Sequence, residues 1–129
     1  MACAAAVATL NLFKQENLFE RASDMGKVLG IAMHAAFKGL PNVIGIRTLG
    51  LAGAVELSGV AGLPGKRGYD IFLECFHKGA RIRPAGETLV LAPPLSSTNR
   101  ILTNWLAPWP TRLRSTPDRQ LRAREARSP

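Results

Sequence analysis

Cysteine and histidine are scarce in this 129-residue sequence, which contains two of each. Cys3 and Cys75 lie far apart and form no CxxC pair, and together with His34 and His77 they form no metal-ligand cluster. These spacings are unlike those of zinc motifs or of disulfide-rich scaffolds. We therefore expect two small, buried thiols in a reduced, cytoplasmic protein.

Long hydrophobic runs are absent as well, since no run approaches the roughly 20 residues that span a bilayer, which excludes an integral membrane protein. The apolar N-terminal stretch MACAAAVATLNLF has no charge before Lys14 and so lacks the basic start of a signal peptide. The composition, 47% hydrophobic and 20% charged, is that of an ordinary globular domain. One domain with a hydrophobic core is the expected organisation.

Lysine and glycine are missing from the last quarter of the chain, where seven Arg face two acidic residues. Residues 1–95, in contrast, hold ten Lys and Arg against seven Asp and Glu, so most of the net charge of +8 belongs to residues 96–129. This change predicts a folded domain at 1–95 and an Arg- and Pro-rich, irregular tail at 96–129. We expect the tail to be disordered apart from one or two helical turns near 101–106. Such a composition is also typical of coding DNA read out of frame, which indicates a frameshift near codon 96.

The basic tail leaves two alternatives open, a small nucleic-acid-binding protein and a small interaction protein. Arginine-rich segments bind phosphate almost regardless of fold. The sequence shows no basic motif interleaved with aromatic residues and no recognition helix, so a nucleic-acid partner is disfavoured.

An Ala- and Leu-rich composition without Gly or Pro predicts a helix at 2–16, and hydrophobic periodicity predicts helices at 18–38 and 68–78. The first is apolar almost all round and should therefore be covered on most sides. The second carries an apolar stripe and ends at Gly39 and Pro41. The third has three aromatic residues on one side: Tyr69, Phe72 and Phe76.

Alternation with a period of two predicts four strands, at 43–49, 54–58, 80–84 and 88–92. Residues 59–68 are interpreted as a surface loop, because Gly65-Lys66 lacks the first glycine and the Ser or Thr of a phosphate-binding loop. The predicted fold class is therefore α+β, with helices packed on a small antiparallel sheet.

Three stretches of residues 1–95 resemble the C-terminal small domain of the class III (omega) aminotransferases, which use pyridoxal phosphate. The ω-amino acid:pyruvate (β-alanine:pyruvate) aminotransferases are the nearest group. The stretches are MACAAAVATLNLF, VIGIRTLGLAGAVEL and GKRGYDIFLECFHKGARIRPAGETLVLAPPL. The first is similar to an Ala-rich helix that follows a Gly-His-Pro motif in the family, so Met1 corresponds to an internal position and we expect a fragment. Residues 96–129 depart from the family's acidic terminal helix.

The resemblance implies the small domain of the fold-type I architecture and an amino transfer from β-alanine or another ω-amine to pyruvate, giving alanine. It also implies that Arg83 binds the substrate carboxylate, for which the two parallel donors of a guanidinium are suited. The substrates implied are small amino and keto acids, and the family is homodimeric or higher. The family's large domain and its Schiff-base lysine are not matched by any segment. We therefore expect this chain alone neither to hold pyridoxal phosphate nor to catalyse the reaction.

Overall fold

The computed structural model describes residues 1–107, which contain four helices and four strands. The predicted α+β class is confirmed, and the predicted ends of the elements are off by a few residues. In chain order, the elements are α1 (Ala2–Gln15), α2 (Leu18–Phe37), β1 (Val43–Leu49), β2 (Ala52–Leu57), α3 (Lys66–His77), β3 (Arg83–Ala85), β4 (Thr88–Leu91) and α4 (Asn99–Leu106).

The strands form one antiparallel sheet in the order β1-β2-β4-β3. Successive side chains of a strand point to opposite faces, so alternate apolar residues share one face. Val55 and Leu57 of β2 and Leu89 and Leu91 of β4 are almost completely buried on that face. The intervening residues are half-buried, which leaves the sheet with one core face and one outer face.

Helix α2 supplies the other side of the core. Leu29, Met33 and Phe37 follow each other at steps of four and are all fully buried. Gly26 lets the helix approach the β1–β2 turn, because a Cβ there would lie 2.5 Å from the carbonyl oxygen of Gly50. The predicted apolar stripe is therefore the buried face of α2.

Helix α1 is largely uncovered, although it was expected to be covered on most sides. None of its residues is buried, and Val7 and Leu10 are 58% and 57% exposed. Its contact with α2 includes an edge-to-face pair between Phe13 and Phe19, with ring centroids 5.3 Å apart. Cys3 is exposed on this helix, so the expectation that both thiols are buried is wrong for Cys3.

Helix α4 lies where one or two helical turns were expected near 101–106, and it begins two residues earlier, at Asn99. Leu102 and Leu106 lie four residues apart on one face of α4, are 0% and 3% exposed, and join the core as α4 packs on α2. Arg21 of α2 fastens the segment before α4, because its guanidinium donates to the carbonyl oxygens of Leu95, Ser96 and Ser97. The remaining tail, 108–129, lies outside the described residues.

No helix within residues 1–107 is long and apolar enough to cross a membrane.

Candidate functional site

Arg83 is the first residue of β3, the three-residue strand at one edge of the sheet. It lies opposite Val90 in the antiparallel register, so its side chain is on the outer face of the sheet. The preceding residue, Ile82, is 8% exposed and anchors the strand to the core. The Arg83 side chain itself is exposed, and its guanidinium makes no hydrogen bond or ion pair with another residue of the described chain.

The turn between β3 and β4 is fastened to the beginning of α3 by Glu87. One carboxylate oxygen, Oε1, accepts the backbone N–H of Gly65 at 2.7 Å, and the other, Oε2, accepts that of Gly68 at 3.1 Å. The first N–H groups of a helix have no partner within the helix, and the helix dipole favours a negative charge there. The Glu87 backbone carbonyl also accepts the N–H of Leu57, at 3.1 Å.

Gly68 and Gly86 allow the turn to come this close to α3. A Cβ at Gly68 would collide with the carbonyl oxygen of Gly86, so no larger residue fits without a shift of the backbone. Gly86 has a φ of 61°, a left-handed conformation that favours glycine. The sequence patterns did not predict this contact. The signal available was a glycine repeat at 65 and 68 together with a glutamate after Gly86.

The start of α3 is also held by Arg67, which is only 3% exposed. Its Nε–H donates to the carbonyl oxygen of Ser58 at 2.7 Å. The expected surface loop at 59–68 is therefore wrong for its last three residues, which belong to α3, and Val60 is also buried. Arg67 is held there by its hydrogen bond to Ser58, and Val60 forms an isolated antiparallel bridge with Leu63, so the segment folds back on itself before α3.

The environments of the six arginines in residues 1–107 distinguish Arg83 from most of the others. Arg21 binds three backbone carbonyls, Arg47 lies 3.8 Å from the carboxylate of Glu56, and Arg67 is buried. Three arginines are exposed and make no hydrogen bond or ion pair within the described chain: Arg81, Arg83 and Arg100. Of these three, Arg83 alone is part of the sheet.

The aromatic side of α3 is a second exposed feature. Tyr69 and Phe76 are 54% and 50% exposed, and Phe72 lies between them with ring centroids 5.9 and 6.2 Å away. The buried side of α3 is formed instead by Ile71 and Cys75 together with its first turn. Burial raises the pKa of the Cys75 thiol to about 11, with a smaller contribution from Glu74, so this thiol stays protonated and unreactive at neutral pH.

A pyridoxal phosphate site needs a lysine beside groups that hold the ring nitrogen and the phosphate. Lys27, Lys66 and Lys78 are instead paired with neighbouring carboxylates on their own helices, at 3.0, 3.1 and 3.4 Å. Lys38 lines an open cleft of about 250 Å³ with His34 and β1, but no carboxylate or hydroxyl lines this cleft. Lys14 is exposed on α1, a helix with no buried residue. None of the five lysines in residues 1–107 therefore lies in a site that fits the cofactor. This part of the chain also contains no cluster of three or more side chains suited to a metal ion.

The fold is that of a segment of the transaminases. The structure superimposes on the adenosylmethionine-8-amino-7-oxononanoate aminotransferase of Methanocaldococcus jannaschii with a TM-score of 0.77 and 26% sequence identity, covering 88% of this chain and 27% of that one. An alignment that covers 88% of 129 residues cannot lie within residues 1–95, so the likeness continues beyond Leu95. No family model matches the chain.

Sequence similarity to curated relatives identifies the family more specifically than the fold does. The chain is 37% identical over 95 residues to an omega-aminotransferase of Caulobacter vibrioides, which covers 74% of this chain and 21% of the relative. It is 34% identical over 97 residues to an omega-amino acid–pyruvate aminotransferase of Pseudomonas putida, covering 75% and 21%. Over about three quarters of its length, the chain belongs to the class III aminotransferases, a family that depends on pyridoxal phosphate. It spans about a fifth of the length of these relatives.

Proposed function

We propose that this chain is the part of an ω-amino acid:pyruvate aminotransferase that supplies the substrate-carboxylate arginine, Arg83. The reaction of the whole protein moves an amino group from β-alanine or another ω-amine to pyruvate, which becomes alanine. The donor becomes the corresponding aldehyde or ketone. Pyridoxal phosphate, which accepts and returns the amino group in this family, is held by residues outside this chain.

The observation that carries the proposal is the exposed, unpaired guanidinium of Arg83 on the outer face of the sheet. A guanidinium without an internal partner is available for a ligand, and it can bind both oxygens of a carboxylate at once. Its backbone is held by β4 and by the turn that Glu87 fastens to α3. The arginine thus has a fixed backbone and a guanidinium that no other described residue holds, which suits an enzyme that accepts both carboxylate and carboxyl-free substrates.

The uncovered surface of α1 supports the proposal that other parts of a larger protein complete the site. Helix α1 exposes Val7, Leu10 and Leu12, and a helix that is apolar on several sides is normally buried. We infer that a large domain covers these residues in the intact enzyme. By itself the chain then lacks both this partner surface and the cofactor site, and it is catalytically inactive.

The two thiols support a cytoplasmic location. Cys3 and Cys75 form no disulfide, and unpaired thiols are typical of reducing compartments.

An activity assay of the isolated chain tests the inference that it is catalytically inactive by itself. The purified protein is mixed with pyridoxal phosphate, β-alanine and pyruvate, and alanine is measured together with cofactor trapped on lysine by borohydride. We expect neither alanine nor stoichiometric trapping. Alanine formed at enzyme-like rates by the chain alone would refute the inference that the site is incomplete.

The role of Arg83 is tested in a chimera in which this chain replaces the matching segment of the Caulobacter vibrioides omega-aminotransferase. Arg83→Ala should raise KM for β-alanine and pyruvate about tenfold or more, because charged hydrogen bonds contribute about 1.5–3 kcal/mol. KM for a carboxyl-free amine donor should change little.

Arg81→Ala is the matched control for this experiment, since Arg81 is also exposed and unpaired but precedes the strand. It should leave all the KM values within about twofold. Equal effects of the two substitutions, or an equal rise in KM for the carboxyl-free amine, would contradict the assignment of Arg83.

A further inference from the structure

We propose that Glu87 is the positioning residue for Arg83. Its carboxylate holds the β3–β4 turn on the N-terminal end of α3 and thereby fixes the backbone from which Arg83 extends. The importance of this contact for catalysis rests on the proposed function of Arg83. The positioning of Arg83 by Glu87 is a property of this chain and can be tested on it directly.

Strand β3 cannot hold its own place by strand pairing alone. It has three residues and lies at the edge of the sheet, so only β4 pairs with it. The middle residue, Pro84, lies opposite Leu89 in a non-hydrogen-bonded pair, so it adds no hydrogen bond to β4. A strand this short, paired on one side only, needs a further attachment to keep a defined position.

The attachment is at the other end of the hairpin, four residues after Arg83. Glu87 spans the N–H groups of Gly65 and Gly68 with its two oxygens, at 2.7 and 3.1 Å. Gly86 lies against Gly68 in the same contact, where a Cβ at Gly68 would meet the Gly86 carbonyl. Helix α3 in turn is fixed by the buried Ile71, Cys75 and Arg67. In addition to the pairing with β4 and the buried Ile82, the position of Arg83 is therefore tied to α3 through the Glu87 carboxylate.

No other described side chain replaces Glu87 in this contact. Lys66, in the first turn of α3, is paired with Asp70 on its own helix at 3.1 Å. The helix start has no side-chain cap of its own, since its N-cap residue is Gly65. Both N–H groups that Glu87 binds would thus lose their protein acceptor if the carboxylate were removed.

The test uses the full 129-residue chain labelled with 15N, with Glu87→Ala, Glu87→Gln and Glu87→Asp compared with the parent. In Glu87→Ala, the amides of Gly65 and Gly68 should exchange with solvent about tenfold faster or more, as expected for the loss of charge-assisted hydrogen bonds. The backbone order parameter of Arg83 should fall from about 0.85 toward 0.6. Glu87→Gln keeps one acceptor oxygen and should recover part of both effects, whereas the shorter Glu87→Asp should recover less.

Glu56→Gln is the charge-matched control, because Glu56 lies on the same sheet but is only half-buried and only weakly paired with Arg47, at 3.8 Å. It should change none of these amides. The amides of Leu89 and Leu91 report on the core. If hydrogen exchange at these two amides becomes faster in Glu87→Ala by the same factor as at Gly65 and Gly68, Glu87 acts on overall stability and the positioning role is refuted. Unchanged order at Arg83 refutes it as well.

A second arm separates this inference from the proposed function. The Arg83 Nε–H signal is followed while propionate, or propylamine at the same ionic strength, is added to the parent and to Glu87→Ala. We expect a saturable shift with propionate only, and at least a threefold weaker apparent affinity in Glu87→Ala. If propionate leaves Arg83 unaffected in the parent, carboxylate binding by this chain on its own is contradicted and the role of Arg83 in the enzyme is decided by the chimera, whereas the order and exchange data still decide whether Glu87 positions Arg83.

Discussion

Truncation of Leu102 to alanine should destabilise the protein strongly, although this residue lies in the segment that composition marks as irregular. Leu102 is completely buried between α4, α2 and the rest of the core. Leu→Ala substitutions at such positions remove about 2–5 kcal/mol of unfolding free energy, because the surroundings only partly fill the cavity. Domains of this kind have about 5–15 kcal/mol in total, so Leu102→Ala would remove a large fraction of the stability.

Urea unfolding of the full chain, followed by circular dichroism, measures this loss. With a urea slope of about 1–3 kcal/mol per molar for a small protein, the midpoint should fall by about 1 M or more. Ile101→Ala is the matched control, because Ile101 is the preceding residue of α4 with the same side-chain volume but is 49% exposed. Its midpoint should fall by much less. Equal midpoints for the two variants would refute the conclusion that α4 is part of the core.

Two further predictions concern a charged contact and a buried thiol. Arg21→Ala should cost about 1–2 kcal/mol in the same unfolding assay, because three hydrogen bonds to the carbonyls before α4 are lost. Arg47→Ala, which breaks an exposed ion pair, should cost less than about 1 kcal/mol, and an equal cost would contradict the role of Arg21. The raised pKa of Cys75, about 11 against 9.0 for an ordinary thiol, means that the unfolded chain loses this proton first as pH rises. The free energy of unfolding should therefore fall between about pH 9 and pH 11, by up to about 3 kcal/mol. Cys75→Ala should remove this pH dependence, whereas Cys3→Ser should leave it unchanged.

The sequence by itself determined the local elements and their buried faces. A stripe at helical spacing placed Leu29 in the core, and alternation placed Val55 and Leu57 on one face of β2. Both follow from the geometry of the backbone, since the period of a helix or a strand decides which side chains share a face. The same alternation made Arg83 an outward residue of a strand. Its assignment to a substrate carboxylate came from the family resemblance and not from the pattern.

Only the tertiary structure decided which distant residues meet. Glu87 binds N–H groups 19 and 22 residues earlier in the chain, and the glycines at both ends of this contact do not by themselves specify that the two segments meet. The sequence predicted one or two helical turns near 101–106 but not what they pack against, and Leu102 is buried because α2 presents an apolar face that α4 covers. Helix α1 shows the converse, since its apolar composition predicted burial and no described element covers it. Periodicity says which face of an element is apolar, whereas the relative placement of the elements decides what that face contacts.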